Sequence, residues 1–326
     1  YPPLLRGEKK GGSYGIAIFI IKISMSNYQM LEFKGEIAAL LAAFLWASSS
    51  VVYSRLGQQI SPLLLNFIKG AIALFLLILT VVITTPVFPA LPLTGILLLV
   101  MSGIIGIGCG DTVFFSSLKY LGARRALLFE TLAPPLAAII ALIFLQETLS
   151  VYAWLGIALT LFGVAWVISE RTSNQDISAD SLRIGILFGL GGAIAQAVGA
   201  VLSRVALTDF NLDPLWSTLI RLLAGTLFLL PLVFSLRNDL KLPSLQWSWR
   251  LMIIIFITAF VSTYLAIWLQ QISLKFTETG IAQTLSSTSP LFILPIAAFL
   301  KETVTPRAII GVLIALAGIG LLFLPS

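Results

Sequence analysis

The sequence predicts an all-α integral membrane protein with ten transmembrane helices, arranged as two inverted repeats of five helices each. Three observations lead to this fold class. The chain is 58% hydrophobic and only 10% charged, whereas soluble domains carry about 25% charged residues. Ten apolar runs approach or reach the length of about 20 residues that a helix needs to cross a bilayer. The two halves of the chain also share a series of residues in the same order.

The ten predicted spans follow the apolar runs of the sequence. Long runs without alternation are typical of helices, since a transmembrane barrel needs alternating segments of about 10 residues. Pro62, Pro214 and Pro306 each follow a polar residue and mark the start of a span, because proline is favoured at the first helical position. In chain order, the predicted spans cover roughly residues 36–54, 62–83, 93–118, 125–145, 151–168, 184–204, 214–234, 250–273, 279–300 and 307–324.

Shared residues divide the chain into two repeats. The matching residues are Lys69 with Arg221, Lys119 with Lys275, Pro135 with Pro290, and Glu147 with Glu302. Because five spans is an odd number, the second copy must sit inverted in the membrane relative to the first, as in many secondary transporters. We expect the chain to be organised as an N-terminal tail at 1–34, a first repeat at 35–168, a polar linker at 169–183 and a second repeat at 184–324.

A longer motif connects the chain with a known family. Its parts are the segment 118–147 (LKYLGARRALLFETLAPPLAAIIALIFLQE), Gly156, Gly163, Pro290, Lys301-Glu302-Thr303, Gly311 and Gly318. Through these residues the chain resembles the ten-helix EamA-type branch of the drug/metabolite transporter superfamily, over about residues 35–324. The resemblance is specific for the family and not for the substrate. It implies export or exchange of small metabolites, such as amino acids, by alternating access and without ATP.

Four formal charges lie well inside the predicted spans, at Lys69, Asp111, Glu130 and Arg221. Insertion scales put the cost of one charge at a helix centre at about 2.5–3.5 kcal/mol, so each charge needs a partner, water or a function. A rise of about 1.5 Å per residue places the lysine and the two acids roughly 8–11 Å below the same membrane surface. The three side chains can therefore form one network, in which one carboxylate is left to titrate.

The sequence leaves more than one role open for these charges. Lys69 and one acid can form a structural ion pair that only fastens helices, or the network can bind substrate or couple protons. Lys69 can also extend along the lipid to the membrane surface. Arg221 lies about 11 Å below the opposite surface, and two cations on either side of the midplane suit an anionic or zwitterionic substrate. Binding of Arg221 to backbone carbonyls at a broken helix is the alternative.

Aromatic and amide side chains supply further candidates for the substrate site. Trp46, Tyr264 and Trp268 can line an aromatic cavity, and Gln196 and Gln283 place amide groups inside predicted spans. Polar residues in membrane helices also act as silent contacts between neighbouring helices. The sequence does not distinguish these two roles.

Prolines mark the places where the helices are expected to break. Pro134 and Pro135 lie within span four and Pro290 lies within span nine, and a proline inside a helix removes a donor and frees a carbonyl. Equivalent breaks in the two halves point to the cavity, although plain kinks explain them as well. Spans five and ten hold no charge and are expected at the lipid-facing edge, with spans one to four and six to nine around a central cavity.

Several function classes are disfavoured by what the sequence lacks. It contains no histidine and a single cysteine, Cys109, so the usual metal ligands and the usual general base are missing. No GxxxxGK[ST] motif occurs, which disfavours a P-loop nucleotide site. We therefore expect no enzyme activity and no cofactor. A lipid scramblase or a channel-like membrane protein is the alternative to a transporter.

The expected partners are a small-molecule substrate, protons and membrane lipid. The net charge of +6 is spread over loops and tail, which indicates membrane topology and not a nucleic-acid surface. The expected location is a bacterial inner (plasma) membrane. The lysine and arginine bias predicts both termini outside, whereas the resemblance implies both inside, and the sequence leaves this open together with the choice between monomer and homodimer.

Overall fold

Helices account for all the regular structure in the part of the chain that the structure describes. The computed structural model describes residues 33–56, 60–84, 91–168, 179–235, 248–289, 291–292 and 305–324. Within these residues no strand occurs, which confirms the all-α prediction.

The described helices follow one another with short turns. They are α1 (Lys34–Leu56), α2 (Pro62–Thr84), α3 (Leu93–Ser102), π1 (Gly103–Gly110), α4 (Asp111–Glu130), α5 (Ala133–Phe144), α6 (Val151–Ile168), α7 (Ala179–Thr208), α8 (Pro214–Ser235), α9 (Trp249–Ala259), π2 (Phe260–Leu265), α10 (Ala266–Phe276), α11 (Thr279–Ser286) and α12 (Pro306–Leu322). Local chemistry explains several starts. Asp213 Oδ1 accepts the Leu215 N–H at 2.8 Å at the start of α8, and Ser248 Oγ accepts the Leu251 N–H at 3.2 Å at the start of α9. Both contacts satisfy donors that a helix leaves unpaired at its first turn.

Length and composition identify membrane spans among these helices. Within the described residues, five helices are long and apolar enough to cross a bilayer, and they cover Pro62–Thr84, Leu93–Leu121, Asp180–Thr208, Pro214–Ser235 and Trp249–Phe276. Shorter apolar helices cover Ala133–Phe144, Val151–Val167 and Ile309–Leu322. This is the pattern of an integral membrane protein that passes through the bilayer several times.

The boundary between predicted spans three and four is wrong. The sequence suggested a turn between residues 118 and 125, but α4 continues to Glu130 and the chain turns at 131–132. Pro134 and Pro135 lie in the first turn of α5, where the missing amide hydrogens do no harm. The residues between 118 and 130 include no proline, so nothing in their backbone chemistry stops the helix earlier.

The helices α6 and α12 pack against each other through glycines. A Cβ at residue 163 would lie 2.5 Å from the Ala315 nitrogen and 2.6 Å from the Gly311 carbonyl oxygen, so the two backbones touch here. Their other faces carry exposed apolar residues, among them Phe162 and Leu313. This exposure agrees with the expected place of spans five and ten at the lipid-facing edge.

Two π-helical segments interrupt long helices. The segment π1 lies between α3 and α4, and π2 lies between α9 and α10. The 156-residue offset that pairs Lys119 with Lys275 carries 103–110 onto 259–266, which contains the whole of π2. A π-helical turn departs from the regular hydrogen-bond ladder and often marks a functional site.

Glycines bring three helices together around π1. A Cβ at residue 103 would collide with the backbone carbonyl of Arg221, so α8 crosses the helix at this glycine. A Cβ at residue 199 would lie 3.1 Å from the Gly106 Cα atom, so α7 is equally close. Small residues permit such approaches between membrane helices, and the result places α7 and α8 on either side of π1.

Candidate functional site

The centre of the candidate site is an ion pair between α2 and the start of α4. Lys69 Nζ donates a hydrogen bond to Asp111 Oδ2 at 2.6 Å, and the two side chains are only 8% and 18% exposed. Gln196 Nε2 on α7 donates to the other carboxylate oxygen, Oδ1, at 3.1 Å. Three helices therefore meet at one carboxylate. Lys69 does not extend to the membrane surface, which excludes one of the roles that the sequence left open.

Two further residues support this pair, and the sequence pattern did not reveal either of them. Lys69 Nζ lies 5.0 Å from the centroid of the Phe115 ring, which is within the range of a cation–π interaction. Asn66, one turn before Lys69, donates from Nδ2 to the Ile107 carbonyl oxygen at 2.9 Å and to Thr112 Oγ1 at 3.1 Å. The first of these bonds fastens α2 to a carbonyl of π1.

Glu130 stands at the end of α4, beside the turn that precedes the two prolines of α5. Its carboxylate lies within electrostatic range of Asp111 and Lys69. In the described part of the chain it makes no hydrogen bond or ion pair. Lys69 is already engaged by Asp111, so Glu130 is the acid of the network that is not committed to a partner.

Arg221 lies on α8 where this helix crosses π1, and only 3% of the residue is exposed. Its Nε and Nη1 atoms have no hydrogen-bond partner among the described residues. Its Nη2 atom lies 3.4 Å from the position that a Cβ at Gly106 would occupy. The guanidinium also lies within electrostatic range of Asp111. Neither Nε nor Nη1 thus binds a backbone carbonyl of the described chain, which was the alternative role.

The aromatic candidates contact one another near π2. Trp46 Nε1 donates to the Ser262 carbonyl oxygen at 2.8 Å, so a carbonyl of π2 accepts a side-chain hydrogen bond as Ile107 does in π1. Tyr264 OH lies 2.7 Å from Thr80 Oγ1. Because Thr80 Oγ1 donates to the Leu76 carbonyl, the tyrosine is the donor in this pair. The rings of Trp46 and Tyr264 pack on one hydrophobic cluster.

Trp268 extends this aromatic group toward a pocket. Its ring centroid lies 6.1 Å from that of Tyr264. The pocket has a volume of about 530 Å³ and is lined by Thr84, Asp213, Pro214, Leu215, Trp216, Trp268 and Ile272. This volume falls within the usual range for small-molecule sites, about 300–1,000 Å³.

The remaining candidates are not joined to the ion pair by any described contact. Gln283 on α11 is 5% exposed, and its Nε2 atom has no hydrogen-bond partner in the described part of the chain. Pro134 and Pro135 begin α5, as noted above. Pro290 lies outside the described residues. The chain nevertheless turns at 287–288, where α11 ends.

The structure also contains an ion pair that the sequence analysis noted only as repeat matches and helix ends. Arg204 Nε donates to Glu147 Oε1 at 2.6 Å, and Arg204 Nη1 donates to the Leu274 carbonyl at 2.7 Å. Glu147 Oε2 accepts the Thr279 N–H at 2.9 Å, at the start of α11. This pair ties together the ends of α7, α10 and α11. Opposite charges at the ends of different helices were the available signal, but spacing along the chain could not pair them.

Within the described residues, no group of three or more histidine, cysteine, aspartate or glutamate side chains could hold a metal ion. What the site offers is one engaged cation, one engaged acid, one uncommitted cation and one uncommitted acid. Such an arrangement can bind a ligand that carries both charges.

Comparison with known proteins gives consistent matches. The sequence model of the EamA-like transporter family matches residues 33–169 and 183–324. An uncharacterized transporter of Archaeoglobus fulgidus is 25% identical over 290 residues, which cover 88% of this chain and 97% of that protein. The uncharacterized transporter YyaM of Bacillus subtilis is 32% identical over 131 residues, which cover 40% of this chain and 42% of YyaM. A crystal structure of a protein superposes with a TM-score of 0.73 at 17% identity, over 89% of this chain and 96% of that chain. This last likeness concerns the fold alone.

Proposed function

The chain belongs to the EamA-like transporter family, and from this premise we propose that it is a secondary active transporter for small metabolites such as amino acids. It exports or exchanges them by alternating access. The observation that carries the proposal is the buried group of charges around Lys69 and Asp111. An ion pair alone would explain a structural fastening, but it would leave Glu130 and Arg221 without a role inside the bilayer, where each charge costs about 2.5–3.5 kcal/mol.

The proposed architecture is ten transmembrane helices in two inverted repeats, at 35–168 and 184–324. Two features of the described chain support it. The segments π1 and π2 fall at positions that the repeat offset pairs. The turns at 131–132 and 287–288 also fall at equivalent places, each just before a proline of the sequence. Alternating access then follows from rocking one repeat against the other around the site.

The proposed energy source is a gradient of substrate or protons. Two acids lie beside a lysine within the membrane, and the uncommitted one, Glu130, is the proposed proton carrier. When the lysine engages Asp111, Glu130 remains to exchange its proton as the site alternates between the two sides of the membrane. The sequence also lacks a P-loop motif, which agrees with transport that ignores ATP.

Counterflow in proteoliposomes tests this function. Vesicles containing the purified protein are loaded with an unlabelled equimolar mixture of the twenty standard L-amino acids, and a trace of the same mixture carrying ¹⁴C is added outside. We expect transient accumulation of label inside the vesicles, with no change on adding ATP. The matched control is Cys109→Ser, which changes a half-buried thiol outside the charged group and should behave like the natural chain.

Two outcomes would contradict the proposal. Label that equilibrates at the same rate with empty and loaded vesicles would indicate a channel, because only a carrier is accelerated by substrate on the opposite side. Transfer of a fluorescent phospholipid between leaflets without amino-acid exchange would indicate a scramblase.

A further inference from the structure

Arg221 presents a buried charge without a partner. The residue is 3% exposed, and two of its three guanidinium nitrogens make no hydrogen bond within the described chain. A charge removed from water without a partner is strongly unfavourable, so burial of this kind is expected where a ligand or water completes the site. The guanidinium reaches toward Gly106 in π1, on the side of α8 where Asp111 is within electrostatic range.

The matching position in the first repeat explains why this charge has no protein partner. The offset of 156 residues that pairs Lys119 with Lys275 places Ile267 where the first repeat has Asp111. Ile267 is buried in an apolar cluster. The first repeat thus supplies its own acid to Lys69, whereas the second repeat supplies an apolar side chain. Any carboxylate that pairs with Arg221 at this position must come from elsewhere.

Glu130 is the counterpart of opposite sign. It lies within electrostatic range of Asp111 and Lys69 and makes no hydrogen bond or ion pair in the described chain. Among the four charges inside the spans, two are therefore engaged with each other and two are not. When all four are ionised they sum to zero, so a zwitterion enters without changing the balance, whereas a simple anion or amine leaves one unpaired charge.

We propose that the Arg221 guanidinium binds the carboxylate of a zwitterionic, amino-acid-type substrate and that Glu130 binds its ammonium group. The proposal rests on the proposed transport function and deepens it. Arginine suits the first role because its planar fork donates two parallel hydrogen bonds to one carboxylate. Glutamate suits the second because its two oxygens accept hydrogen bonds from an ammonium group. The Lys69–Asp111 pair stands between these groups as a fixed element of the site.

Chemical labelling of Arg221 tests the carboxylate half. Phenylglyoxal, which modifies guanidinium groups, is applied to the purified full-length protein, and mass spectrometry measures modification at each arginine. We expect Arg221 to be modified, and we expect the mixture of L-amino acids at about ten times its half-protecting concentration to slow the modification roughly tenfold by mass action. The corresponding mixture of amino-acid amides, which lack the carboxylate, should not protect. Arg204, which is held by Glu147 and Leu274, is the matched internal control whose labelling should not respond.

A second comparison tests the ammonium half. In the natural chain, L-alanine should protect Arg221 better than propionate, which has the carboxylate but no ammonium group. In Glu130→Gln this advantage should disappear while protection by propionate remains. A glutamate that only couples protons would leave the advantage of L-alanine unchanged, and that result would overturn this half of the proposal.

Transport by variants separates this inference from the proposed function. Arg221→Gln should raise the half-saturating amino-acid concentration in counterflow by about tenfold or more, the effect of losing 1.4 kcal/mol, and Arg221→Lys should fall between the two. Size-exclusion chromatography and thermal unfolding confirm that each variant folds. If exchange occurs but Arg221→Gln keeps the natural half-saturation, or if Arg221 is neither modified nor protected, the inference is wrong and the transport function stands. If no amino acid exchanges while carboxylates still protect Arg221, the transport function is wrong and the carboxylate subsite stands.

Discussion

Lys69 and Arg221 occupy matching positions in the two halves of the chain, yet their surroundings differ. Lys69 is held by Asp111 at 2.6 Å and lies over the ring of Phe115. Arg221 is more deeply buried than most polar residues and leaves Nε and Nη1 without partners in the described chain. The residue that corresponds to Asp111 in the second half is Ile267. One cation is thus part of the architecture, and the other is available to a ligand.

This difference teaches that a repeat conserves places more readily than chemistry. Both halves keep a cation on their second span and a π-helical segment on their third. Only the first half adds the acid that completes an ion pair. A duplicated scaffold can therefore hold one structural site and one binding site at related positions, because a single substitution opposite the cation decides between the two roles.

The largest expected effect separates the two cations by their contribution to stability. Lys69→Ala leaves Asp111 as an uncompensated buried charge, and breaking a buried pair in this way costs about 3–5 kcal/mol. Arg221→Met removes an unpaired cation whose insertion costs about 2.5–3.5 kcal/mol, so it should leave stability unchanged or raise it. Thermal unfolding of the purified protein in detergent measures both changes.

A double variant is the control for this comparison. Lys69→Ala combined with Asp111→Asn removes both charges and should recover most of the stability that Lys69→Ala alone loses, because the two sites interact directly. Equal destabilisation by Lys69→Ala and Arg221→Met would show that both cations are structural, and the distinction between the halves would be lost.

Much of the fold could be predicted from composition and hydrophobic pattern. A chain this poor in charge must be surrounded by lipid, and the described helices Pro62–Thr84 and Pro214–Ser235 lie within one residue of the predicted spans. The boundary between spans three and four could not be predicted well, because residues 118–130 combine charges with strong helix formers. Hydrophobicity locates the bilayer, but a helix can continue past its apolar part until a proline pair ends it.

The site was predictable in depth but not in detail. Counting residues from the helix ends placed Lys69 and Asp111 at one level, and the structure has them in contact. Depth along a span says nothing of which face a residue occupies once π1 alters the helical phase. For this reason the bond from Gln196 to Asp111 and the bond from Asn66 to Ile107 required coordinates. The same holds for the pair between Glu147 and Arg204.

A smaller effect is expected from giving Arg221 the acid that its half lacks. Ser217 Oγ donates to Gln271 Oε1 at 2.8 Å, and consecutive spans run in opposite directions. One helical turn further, Arg221 and Ile267 therefore face each other along the same contact. Ile267→Asp should engage Arg221, reduce phenylglyoxal modification at this residue and raise the half-saturating substrate concentration by about tenfold, with little change in stability.

The isosteric amide provides the matched control. Ile267→Asn introduces polarity and similar volume without charge, so it should disturb the apolar cluster without competing for the guanidinium. If the asparagine variant reduces labelling of Arg221 as much as the aspartate variant does, the effect comes from packing and not from pairing. The proposed equivalence of Asp111 and Ile267 would then be wrong.

The smallest expected effect concerns the ring beside Lys69, which has no described counterpart at Arg221. Phe115→Leu keeps an apolar side chain but removes the cation–π contact at 5.0 Å, a contact that contributes about 0.5–2 kcal/mol. The neighbouring variant Phe114→Leu is the matched control, since that ring contacts Phe115 at 5.9 Å. Both variants are compared by thermal unfolding in the natural chain and in the Lys69→Ala, Asp111→Asn background. A cation–π interaction requires the cation, so the excess effect of Phe115→Leu over Phe114→Leu should vanish in that background. An excess that persists without the lysine would mean that the ring only fills space, for instance against Tyr53, and that Lys69 is held by Asp111 alone.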